Sequence, residues 1–326
     1  MSEMEKVVGV AISGLGEISQ LHIQGVLRSK HGKLVGVFSH TPERAKAIAK
    51  MYGVKAYSSY EELCRDNEVN AVIITSRDED HLPQTVEAAK CGKHVLVEKP
   101  PALTVEDIEF MAKTCKENNV ICMPVHNYIY TPQMMRLKDI VTRGDLGKPL
   151  YAFASVFHKI SEEIARKYHG TLITQAYHLV YSLLFLFGDV EYVTGYLDNV
   201  SYKEYKNIDD LAIVILKFKN GVVGHILSGW CCDDITPTSW TWMVKVFFER
   251  GVFTFNSMES LTYSQSASYY QSRTIDFQES FFNIVSYFID EVIVNKKPPL
   301  STLEDAIKTF KILESIRSHK INVIKI

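Results

Sequence analysis

The fold is indicated by residues 7–19, which have the sequence VVGVAISGLGEIS. An apolar run, then Gly14 and Gly16, then a helical pattern is typical of the first strand, turn and helix of a dinucleotide-binding sheet. Gly14 permits a tight turn, and Gly16 lets the backbone approach a pyrophosphate. Ser19 occupies the third fingerprint position and is small enough for the helix to pack on the strand. A strand–helix turn without a ligand is the alternative interpretation.

Strands and helices alternate along the first 124 residues. Apolar runs predict the strands, and the segments between them have helical periodicity. This alternation predicts a parallel, doubly wound α/β sheet. The predicted strands are residues 7–12, 34–38, 71–75, 94–97 and 120–124, and the predicted helices are residues 17–29, 42–51, 59–66, 80–91 and 104–118.

The pattern changes after Pro124, where longer alternating segments predict an α+β half with an antiparallel sheet. One predicted hairpin turns at Asn220-Gly221, because both residues tolerate a positive φ. The predicted hairpins pair residues 211–218 with 222–227 and 240–248 with 251–255, and the predicted helices are residues 132–143, 172–187, 279–295 and 301–318.

Composition and charge exclude several classes of protein. The length of 326 residues predicts two domains or one large one. Of these residues 46% are hydrophobic, and the formal net charge is −2, so we expect neither nucleic-acid nor membrane binding. Residues 1–6 lack a signal-peptide pattern. The six cysteines include no Cys-x-x-Cys pair. We therefore expect reduced thiols, no metal site and a cytoplasmic protein.

The choice between NAD and NADP depends on the end of the second predicted strand. NAD sites usually place an acid there to bind the ribose 2′-hydroxyl. Ser39 and His40 occupy this position, with Arg44 nearby, and no acid is present at 39–41. These side chains favour a 2′-phosphate, so NADP is preferred over NAD, although the alternative is an ordinary turn before a helix.

A second turn, Glu98-Lys99-Pro100-Pro101, directly follows the apolar run 94–97. A parallel sheet places this turn and the glycine turn at the carboxyl ends of strands, where ligands bind. Pro100 restricts the backbone and removes a donor. Partial burial would lower the pKa of Lys99 toward the range that suits proton transfer. The alternative is a solvated surface lysine.

The predicted helix at 172–187 is almost wholly apolar and hence buried, yet it carries a polar stripe. Thr174, His178 and Tyr181 are spaced i, i+4 and i+7, and Gln175 lies beside them. Polar groups on a buried helix must be hydrogen-bonded or face a cavity. His178 is therefore a candidate for contacting a substrate oxygen, with a satisfied core histidine as the alternative.

The chain resembles the Gfo/Idh/MocA oxidoreductases, the family of glucose–fructose oxidoreductase and inositol dehydrogenase, over nearly its whole length. The Glu-Lys-Pro motif is the most specific element of this resemblance. The matching segments are Gly14-Leu15-Gly16 with His22, Tyr60-Glu61-Glu62-Leu63, residues 69–75, His81, Gly92-Lys93-His94-Val95, Glu98-Lys99-Pro100, Asn127-Tyr128, Gly144-Asp145-Leu146-Gly147 and His178.

The resemblance implies an N-terminal Rossmann domain, residues 1–124, and a C-terminal α+β domain, residues 125–326. The second domain would contain a large, mostly antiparallel open sheet that binds substrate and forms a homodimer or homotetramer. Lys99 and His178 are the implied catalytic residues. The residues expected to bind the cofactor are Gly14, Leu15, Gly16, Glu17, Ile18, Ser39, His40, Arg44, Thr75, Ser76, His81, Glu98 and Lys99, and those expected to bind substrate are Asn127, Tyr128, Thr174, Gln175 and His178.

The chain departs from the family near His178. The family often has Asp four residues before this histidine and Asp three residues after it, where this chain has Thr174 and Tyr181. The family's usual Arg two residues after Asn127 is Ile129. The sequence nevertheless indicates an NAD(P)-dependent oxidoreductase acting on a CH–OH group of a sugar, a sugar derivative or a cyclic polyol. The alternatives are a non-catalytic dinucleotide or sugar sensor, and an enzyme that uses bound NAD transiently without net redox change.

Overall fold

The structure, a computed structural model, describes residues 6–165, 167–168, 170–202, 204, 208–232, 241–256, 259–265, 268–272 and 277–318. The chain divides into two compact units. The first comprises residues 1–127 and 278–307, and the second comprises residues 128–277 and 308–326.

The first unit is built on a parallel sheet. Its strands are β1 (Val8–Ser13), β2 (Gly32–Phe38), β3 (Lys55–Ala56), β4 (Ala71–Ile74), β5 (His94–Val97) and β6 (Cys122–Pro124). They are ordered β3-β2-β1-β4-β5-β6, and each neighbouring pair is parallel. The order reverses between β1 and β4, and dinucleotides bind outside the carboxyl ends of strands at such a reversal.

Helices connect these strands, and side chains cap the N-termini of two of them. They are α1 (Glu17–Arg28), α2 (Pro42–Tyr52), α3 (Tyr60–Arg65), α4 (Asp78–Lys90) and α5 (Val105–Glu117). The side chain of Thr104 accepts a hydrogen bond from the Asp107 N–H at the start of α5, and Ser59 does the same for Glu62 at the start of α3. Each cap satisfies a backbone donor that the first helical turn leaves without a partner.

The second unit contains a mostly antiparallel sheet. Its strands are β7 (Pro149–Phe157), β8 (Val190–Asp198), β9 (Leu211–Phe218), β10 (Val223–Gly229), β11 (Thr241–Phe248), β12 (Gly251–Asn256), β13 (Glu259–Gln265) and β14 (Ser268–Ser272). The order is β14-β13-β12-β11-β7-β10-β9-β8, and β7 with β10 is the parallel pair. The side chains of β9 alternate between buried and more exposed, so one sheet face forms the core of this unit.

The helices of the second unit are α6 (Pro132–Arg143), α7 (Glu162–Ala165) and α8 (Tyr177–Phe187), with a 3₁₀ turn at Asn127–Tyr130 before α6 and a π-helical turn at Leu172–Ala176 leading into α8. Helix α8 packs against β7 and β10. Its long side chains are almost all buried, as expected for a helix that is apolar on every side.

The C-terminal segment is helical, and its residues 278–307 belong to the first unit. Helix α9 (Phe277–Ser286) continues into a π-helical turn, Tyr287–Val294, and α10 (Leu303–Ser318) follows. The Asp290 carboxylate accepts hydrogen bonds from the Ser29 hydroxyl at 2.7 Å and from the backbone N–H groups of Lys30 and His31. Residues 278–307 therefore belong to the first compact unit, although the sequence assigned all of 125–326 to a second domain.

The predicted fold class, a Rossmann sheet followed by a mostly antiparallel sheet, is confirmed. The sequence did not single out β3, β7, β8, β13 or β14. The predicted helix 279–295 is an α-helix only to Ser286 and then widens into a π-helical turn. Trp240, the predicted first residue of one hairpin, lies outside the described residues. No helix in the described part of the chain is long and apolar enough to cross a membrane.

Candidate functional site

The glycine turn is pressed against the end of β4. Gly14 has φ +88°, a conformation that glycine adopts readily and L side chains rarely do. A Cβ atom on Gly14 would lie 2.4 Å from the Ser76 backbone nitrogen and 2.5 Å from the Thr75 carbonyl oxygen. The Thr75 hydroxyl donates to the Gly14 carbonyl at 2.7 Å. Gly14 and Thr75 therefore fix the path of the turn between β1 and α1.

Gly16 is placed differently, because a Cβ atom there would meet nothing within 4 Å. Gly16 is the N-cap of α1, and no side chain caps this helix end. Ser19 is fully buried, and its hydroxyl donates to the Gly16 carbonyl. An open approach to a helix N-terminus with unsatisfied N–H groups suits an anionic pyrophosphate. The residues present therefore fit the dinucleotide that the sequence predicted.

A pocket of about 440 Å³ opens beside this turn. Eight of the predicted cofactor-binding residues line it: Gly14, Leu15, Gly16, Ser39, His40, Arg44, Thr75 and Ser76. Five lining residues were missed: Phe38, Thr41, Arg77, Asp80 and Gln84. Four predicted cofactor residues, Glu17, Ile18, His81 and Glu98, do not line this pocket, and neither does Lys99.

The pocket carries charges of both signs, from residues that follow β2 and β4. Arg44 and Arg77 both line it, together with Ser39. The exposed His40 ring lies 3.5 Å from the Asp80 carboxylate. The pocket lining therefore contains two arginines and one acid.

Gln84 organises the floor of this pocket. Its Oε1 atom accepts hydrogen bonds from the Ser13 hydroxyl at 2.8 Å and from the Ser76 hydroxyl at 3.0 Å. The Tyr60 hydroxyl donates to the Gln84 backbone carbonyl. Gln84 thus ties the carboxyl ends of β1 and β4 together. Its burial at 6% exposure is unusual for glutamine, but the sequence contains no motif that marks it.

Glu98 is a buried acid at the end of β5. Its Oε1 atom lies 2.8 Å from Nε2 of His22, whose side chain is fully buried. Its Oε2 atom accepts the Lys99 backbone N–H at 3.0 Å. Burial favours the neutral acid, but the His22 hydrogen bond and the nearby charges of His22 and Lys99 outweigh it and lower the pKa of Glu98. Glu98 is therefore a carboxylate that anchors the Glu-Lys-Pro turn to α1 through His22. The sequence did not predict this contact of His22.

Lys99 follows directly and is only partly exposed. Burial lowers the pKa of Lys99 below that of an ordinary lysine, against the opposing charges of Glu98 and Asp78. The Lys99–Pro100 peptide bond is cis. His81 is buried and its Nδ1 atom lies 2.7 Å from the Pro100 carbonyl, which can only accept, so Nδ1–H donates. His81 supports the backbone of the Glu-Lys-Pro turn from beneath.

In the second unit, part of the polar stripe on the segment 171–184 is accessible to solvent. Every residue from 171 to 184 is buried except Thr174 and His178, which are one helical turn apart. Gln175 points instead into a buried network, because its Oε1 atom accepts a hydrogen bond from the Thr171 hydroxyl. The Thr171 hydroxyl also lies 2.7 Å from the Ser228 hydroxyl. Of the predicted stripe, Thr174 and His178 are therefore the accessible members.

Aromatic side chains surround the His178 ring. Nδ1 of His178 lies 2.9 Å from the Tyr181 hydroxyl. The Tyr128 ring meets His178 edge-on, with ring centres 5.1 Å apart, and stacks parallel on Trp242 at 4.4 Å. Tyr128 and Tyr181 are both buried. These contacts fix the orientation of the imidazole.

Asn127 lies in the first unit and is buried at 1% exposure. Its Nδ2–H group donates to the Ser280 hydroxyl at 2.8 Å. This hydrogen bond connects the end of the segment 1–127 to helix α9.

Within the described residues, no group of three His, Cys, Asp or Glu side chains is arranged to hold a metal ion. All six cysteines are free thiols.

Two family models match the chain. A model of an oxidoreductase family with an NAD-binding Rossmann fold, GFO_IDH_MocA, matches residues 8–126. A model of the GFO/IDH/MocA C-terminal domain matches residues 134–254. The chain belongs to the Gfo/Idh/MocA family.

Among curated members of the Gfo/Idh/MocA family, the scyllo-inositol 2-dehydrogenase (NAD(+)) of Bacillus subtilis is 29% identical over 232 residues, or 68% of this chain and 67% of that protein. The 1,5-anhydro-D-fructose reductase of Ensifer adhaerens is 34% identical over 148 residues, but the match spans only 45% of this chain and 44% of the reductase. The match therefore spans 44% to 67% of the length of these relatives.

Solved structures agree with the fold over nearly the whole chain. A probable dehydrogenase from Thermotoga maritima has a TM-score of 0.84 at 22% identity, covering 95% of this chain and 96% of its own. A levoglucosan dehydrogenase in complex with NADH and levoglucosan has a TM-score of 0.86 at 18% identity, covering 96% and 97%. At these identities the likeness establishes the Gfo/Idh/MocA fold alone.

Proposed function

We propose that this protein is an NAD(P)-dependent oxidoreductase that transfers a hydride between a nicotinamide and a CH–OH carbon of a sugar, a sugar derivative or a cyclic polyol. The observation that carries the proposal is one sheet with two features at its carboxyl edge. The glycine turn after β1 leaves open space over an uncapped helix N-terminus. The turn after β5 presents a lysine whose pKa is lowered.

The dinucleotide would be held by the residues that line the pocket. The N–H groups at the start of α1 would bind the pyrophosphate, since a helix N-terminus favours anions. Ser39, His40 and Arg44 would bind the adenosine ribose, and the pair of arginines, Arg44 and Arg77, supports NADP over NAD. Asp80 opposes this preference by placing a negative charge in the same pocket. When bound, the nicotinamide would supply the hydride chemistry.

Lys99 would exchange the proton on the substrate oxygen. A lysine is an effective base at neutral pH only if its pKa is lowered, and burial has this effect here. In the direction of alcohol oxidation the neutral amine takes the hydroxyl proton. In the direction of carbonyl reduction the ammonium group returns it. Glu98 and His81 would hold the turn so that the amine keeps a fixed position.

His178 would contact the substrate oxygen, with Thr174 one helical turn away, and both side chains are partly exposed. Asn127 and Tyr128 were also predicted to bind substrate, and hydroxyl, amide and aromatic groups suit a polyhydroxy compound. Both residues are buried in the structure. They would therefore affect substrate binding through their backbone groups and by positioning neighbouring side chains. The names of the curated relatives, an inositol dehydrogenase and an anhydrofructose reductase, support a cyclic polyol or a sugar.

The test is a spectrophotometric screen of sugars and cyclic polyols with NAD and with NADP, following the absorbance of the reduced nicotinamide. For a substrate found this way, Lys99→Met should lower turnover by roughly 10²–10⁴, the usual contribution of a positioned proton-transfer group. The rate of alcohol oxidation should rise with pH through the pKa of Lys99, in a range below that of an ordinary lysine, and this limb should disappear in Lys99→Met.

Lys30→Met, which changes an exposed lysine away from the pocket, is the matched control and should keep wild-type turnover. Turnover within threefold of wild type in Lys99→Met would show that the Glu-Lys-Pro turn is structural. If cofactor and a sugar bind together but no compound is oxidised or reduced, the protein is a sensor. The replacement of the family's Asp by Thr174 favours that second candidate.

We also propose a cytoplasmic protein that associates through the exposed face of the second sheet into a homodimer or homotetramer. The free thiols of all six cysteines support a reducing compartment.

Exposed apolar side chains on strands β8 and β9 support association, since large exposed apolar patches mark interaction surfaces. These side chains are Tyr192, Tyr196 and Ile215.

A further inference from the structure

Gln84 is a buried polar side chain at the point where the strand order of the first sheet reverses. Ser13 ends β1 and Ser76 follows β4, and both serine hydroxyls donate to Oε1 of Gln84, at 2.8 Å and 3.0 Å. The Tyr60 hydroxyl donates to the Gln84 backbone carbonyl at 2.8 Å. Gln84 is 6% exposed and lines the pocket beside the glycine turn. Its backbone and one end of its amide are therefore held in place.

The serine hydroxyls determine which end of the Gln84 amide is the oxygen. Ser13 is fully buried, and its hydroxyl has Oε1 of Gln84 as its hydrogen-bond partner. If the amide were reversed, Nε2 would donate to both serines, and the Ser13 proton would have no acceptor among the described residues. Buried hydroxyl protons are rarely left without an acceptor. The oxygen of the amide therefore faces the serines, and Nε2 occupies the other prong.

The Gln84 amide nitrogen is a donor group that the protein itself does not use. Nε2 carries two N–H groups, and within the described part of the chain neither donates to another residue. Nε2 is not enclosed by protein, since Gln84 lines the pocket. A deeply set polar group without a protein partner is costly unless water or a ligand accepts its hydrogen bonds. This oriented donor therefore suits a ligand that offers an oxygen acceptor.

The groups around Gln84 indicate the charge of that acceptor. Ser76, which holds the amide, lies against the glycine turn, because a Cβ atom on Gly14 would collide with the Ser76 backbone nitrogen. At the same turn α1 begins with N–H groups that no side chain caps, and such a helix end favours an anion. Two arginines and one acid line the pocket. A negatively charged oxygen also makes the stronger hydrogen bond with a neutral donor.

We propose that Gln84 is a cofactor-binding residue whose amide is held by Ser13 and Ser76, so that Nε2–H donates a hydrogen bond to a phosphate oxygen of the bound dinucleotide. Ser13 acts through Gln84 and is a positioning residue, since Ser13 does not line the pocket. The inference rests on the dinucleotide site of the proposed function and not on hydride transfer. It adds a side-chain donor from α4 to the backbone donors at the start of α1.

Calorimetric titration of the full-length protein with ADP and with adenosine tests the assignment. Gln84→Glu keeps the size of the side chain and an oxygen for the serines, but it replaces the donor by a carboxylate oxygen. It should weaken ADP binding by roughly 10–100-fold or more, the contribution of a hydrogen bond to a charged group, because repulsion adds to the lost bond. Adenosine affinity should stay within about threefold of wild type. Gln24→Glu, the same change on α1 outside the pocket, is the matched control and should bind ADP as the wild type does.

Equal losses for ADP and adenosine in Gln84→Glu would show that the donor serves the ribose or the base, and would overturn the phosphate assignment. Gln84→Met removes the donor without adding a charge and should weaken ADP binding about tenfold. Wild-type ADP affinity in a folded Gln84→Met, verified by circular dichroism, would overturn the proposal.

Ser13→Ala tests the positioning role and keeps the proposal falsifiable if the Gln84 variants do not fold. It removes one of the two hydroxyls that orient the amide and should weaken binding of ADP, but not of adenosine, several-fold. In the Gln84→Met background it should have no further effect, because the two residues act as one unit. Unchanged ADP affinity in Ser13→Ala, or an equal loss in both backgrounds, would overturn the positioning role.

The failure of this inference and that of the proposed function give different results. If the wild type binds ADP but turns over no compound of the screen, hydride transfer fails, while the affinities of the variants still decide the role of Gln84. If the wild type turns over a substrate and the Gln84 variants bind ADP as tightly as it does, the proposed function stands and the role of Gln84 is refuted. A wild type that binds no ADP would overturn the inference.

Discussion

The two glycines of the first turn have different physical requirements. Gly14 is confined by its positive φ and by the backbone of Thr75 and Ser76, which a Cβ atom would approach to about 2.5 Å. Gly16 has φ −73° and ψ −175°, a conformation that any residue adopts, and its Cβ direction is open. The requirement for glycine at position 14 is therefore imposed by the fold, and that at position 16 by a ligand.

A matched pair of variants tests this distinction. Gly14→Ala should destabilise the fold by more than about 1–2 kcal/mol, the cost of a left-handed conformation alone, because the methyl group also collides with backbone. Gly16→Val should keep the free energy of unfolding within about 1 kcal/mol of wild type but should abolish tight binding of the reduced cofactor. Urea denaturation and a fluorescence titration measure the two effects. Wild-type affinity in Gly16→Val would contradict the pocket assignment.

At the residue scale, the sequence singled out residues at strand ends that line the pocket. Gly14, Ser39 and Thr75 each come at the end of an apolar run, and all three line the pocket. Asp80 and Gln84 were missed because they reach the pocket from α4, whose rotation depends on packing. His81 was assigned to the cofactor because the family motif includes it, whereas its ring lies under Pro100.

Among the elements, the segment 171–187 shows what a periodic pattern determines and what it leaves open. The sequence predicted a buried helix with a polar stripe, and the structure narrows the accessible part of that stripe to Thr174 and His178. Gln175 lies within the π-helical turn at Leu172–Ala176, directly before α8. A wider turn of this kind depends on hydrogen-bond choices that apolar periodicity does not encode, which is why Gln175 was assigned to the substrate and lies in a buried network instead.

The helical segment 277–294 also has a role that its periodicity did not indicate. Asp290 accepts three hydrogen bonds from Ser29, Lys30 and His31 at the end of α1. Asp290→Ala should lower the free energy of unfolding by about 1–3 kcal/mol, because it leaves backbone donors unsatisfied. Glu279→Ala, an exposed acid in the same segment, is the control and should stay within about 0.5 kcal/mol of wild type. Equal urea midpoints for the two variants would refute this role of Asp290.

At the scale of the whole molecule, the boundary between the units was the least predictable feature. A single division at residue 124 follows the change from parallel to antiparallel patterning. The chain, however, contributes residues 278–307 to the first unit through contacts far apart in sequence, such as the Ser301 hydroxyl donating to the Pro124 carbonyl. Long-range packing of this kind leaves no local signal, whereas the order of strands and helices within each half does.

The outward face of the second sheet presents a continuous row of side chains across five strands. Ile215 pairs with Thr194 on β8 and His225 on β10, and the row continues through Phe153 and Lys245. Ile215, on β9, is 43% exposed, and such an apolar side chain gains most by burial in a partner. This row is the surface through which we expect two copies of the chain to associate.

Ile215→Glu should therefore convert the proposed dimer or tetramer to monomer, because a carboxylate buried in the interface is costly to desolvate. Sedimentation velocity at micromolar concentration measures the change, and circular dichroism verifies that the variant is folded. Met51→Glu is the control, since Met51 is 69% exposed on α2 in the other unit, and it should sediment as the wild type does. A wild-type chain that sediments only as monomer would refute the assembly. An assembly that persists in Ile215→Glu would place the interface on another surface, and the exposed apolar side chains of β8 and β9 would then require a different partner.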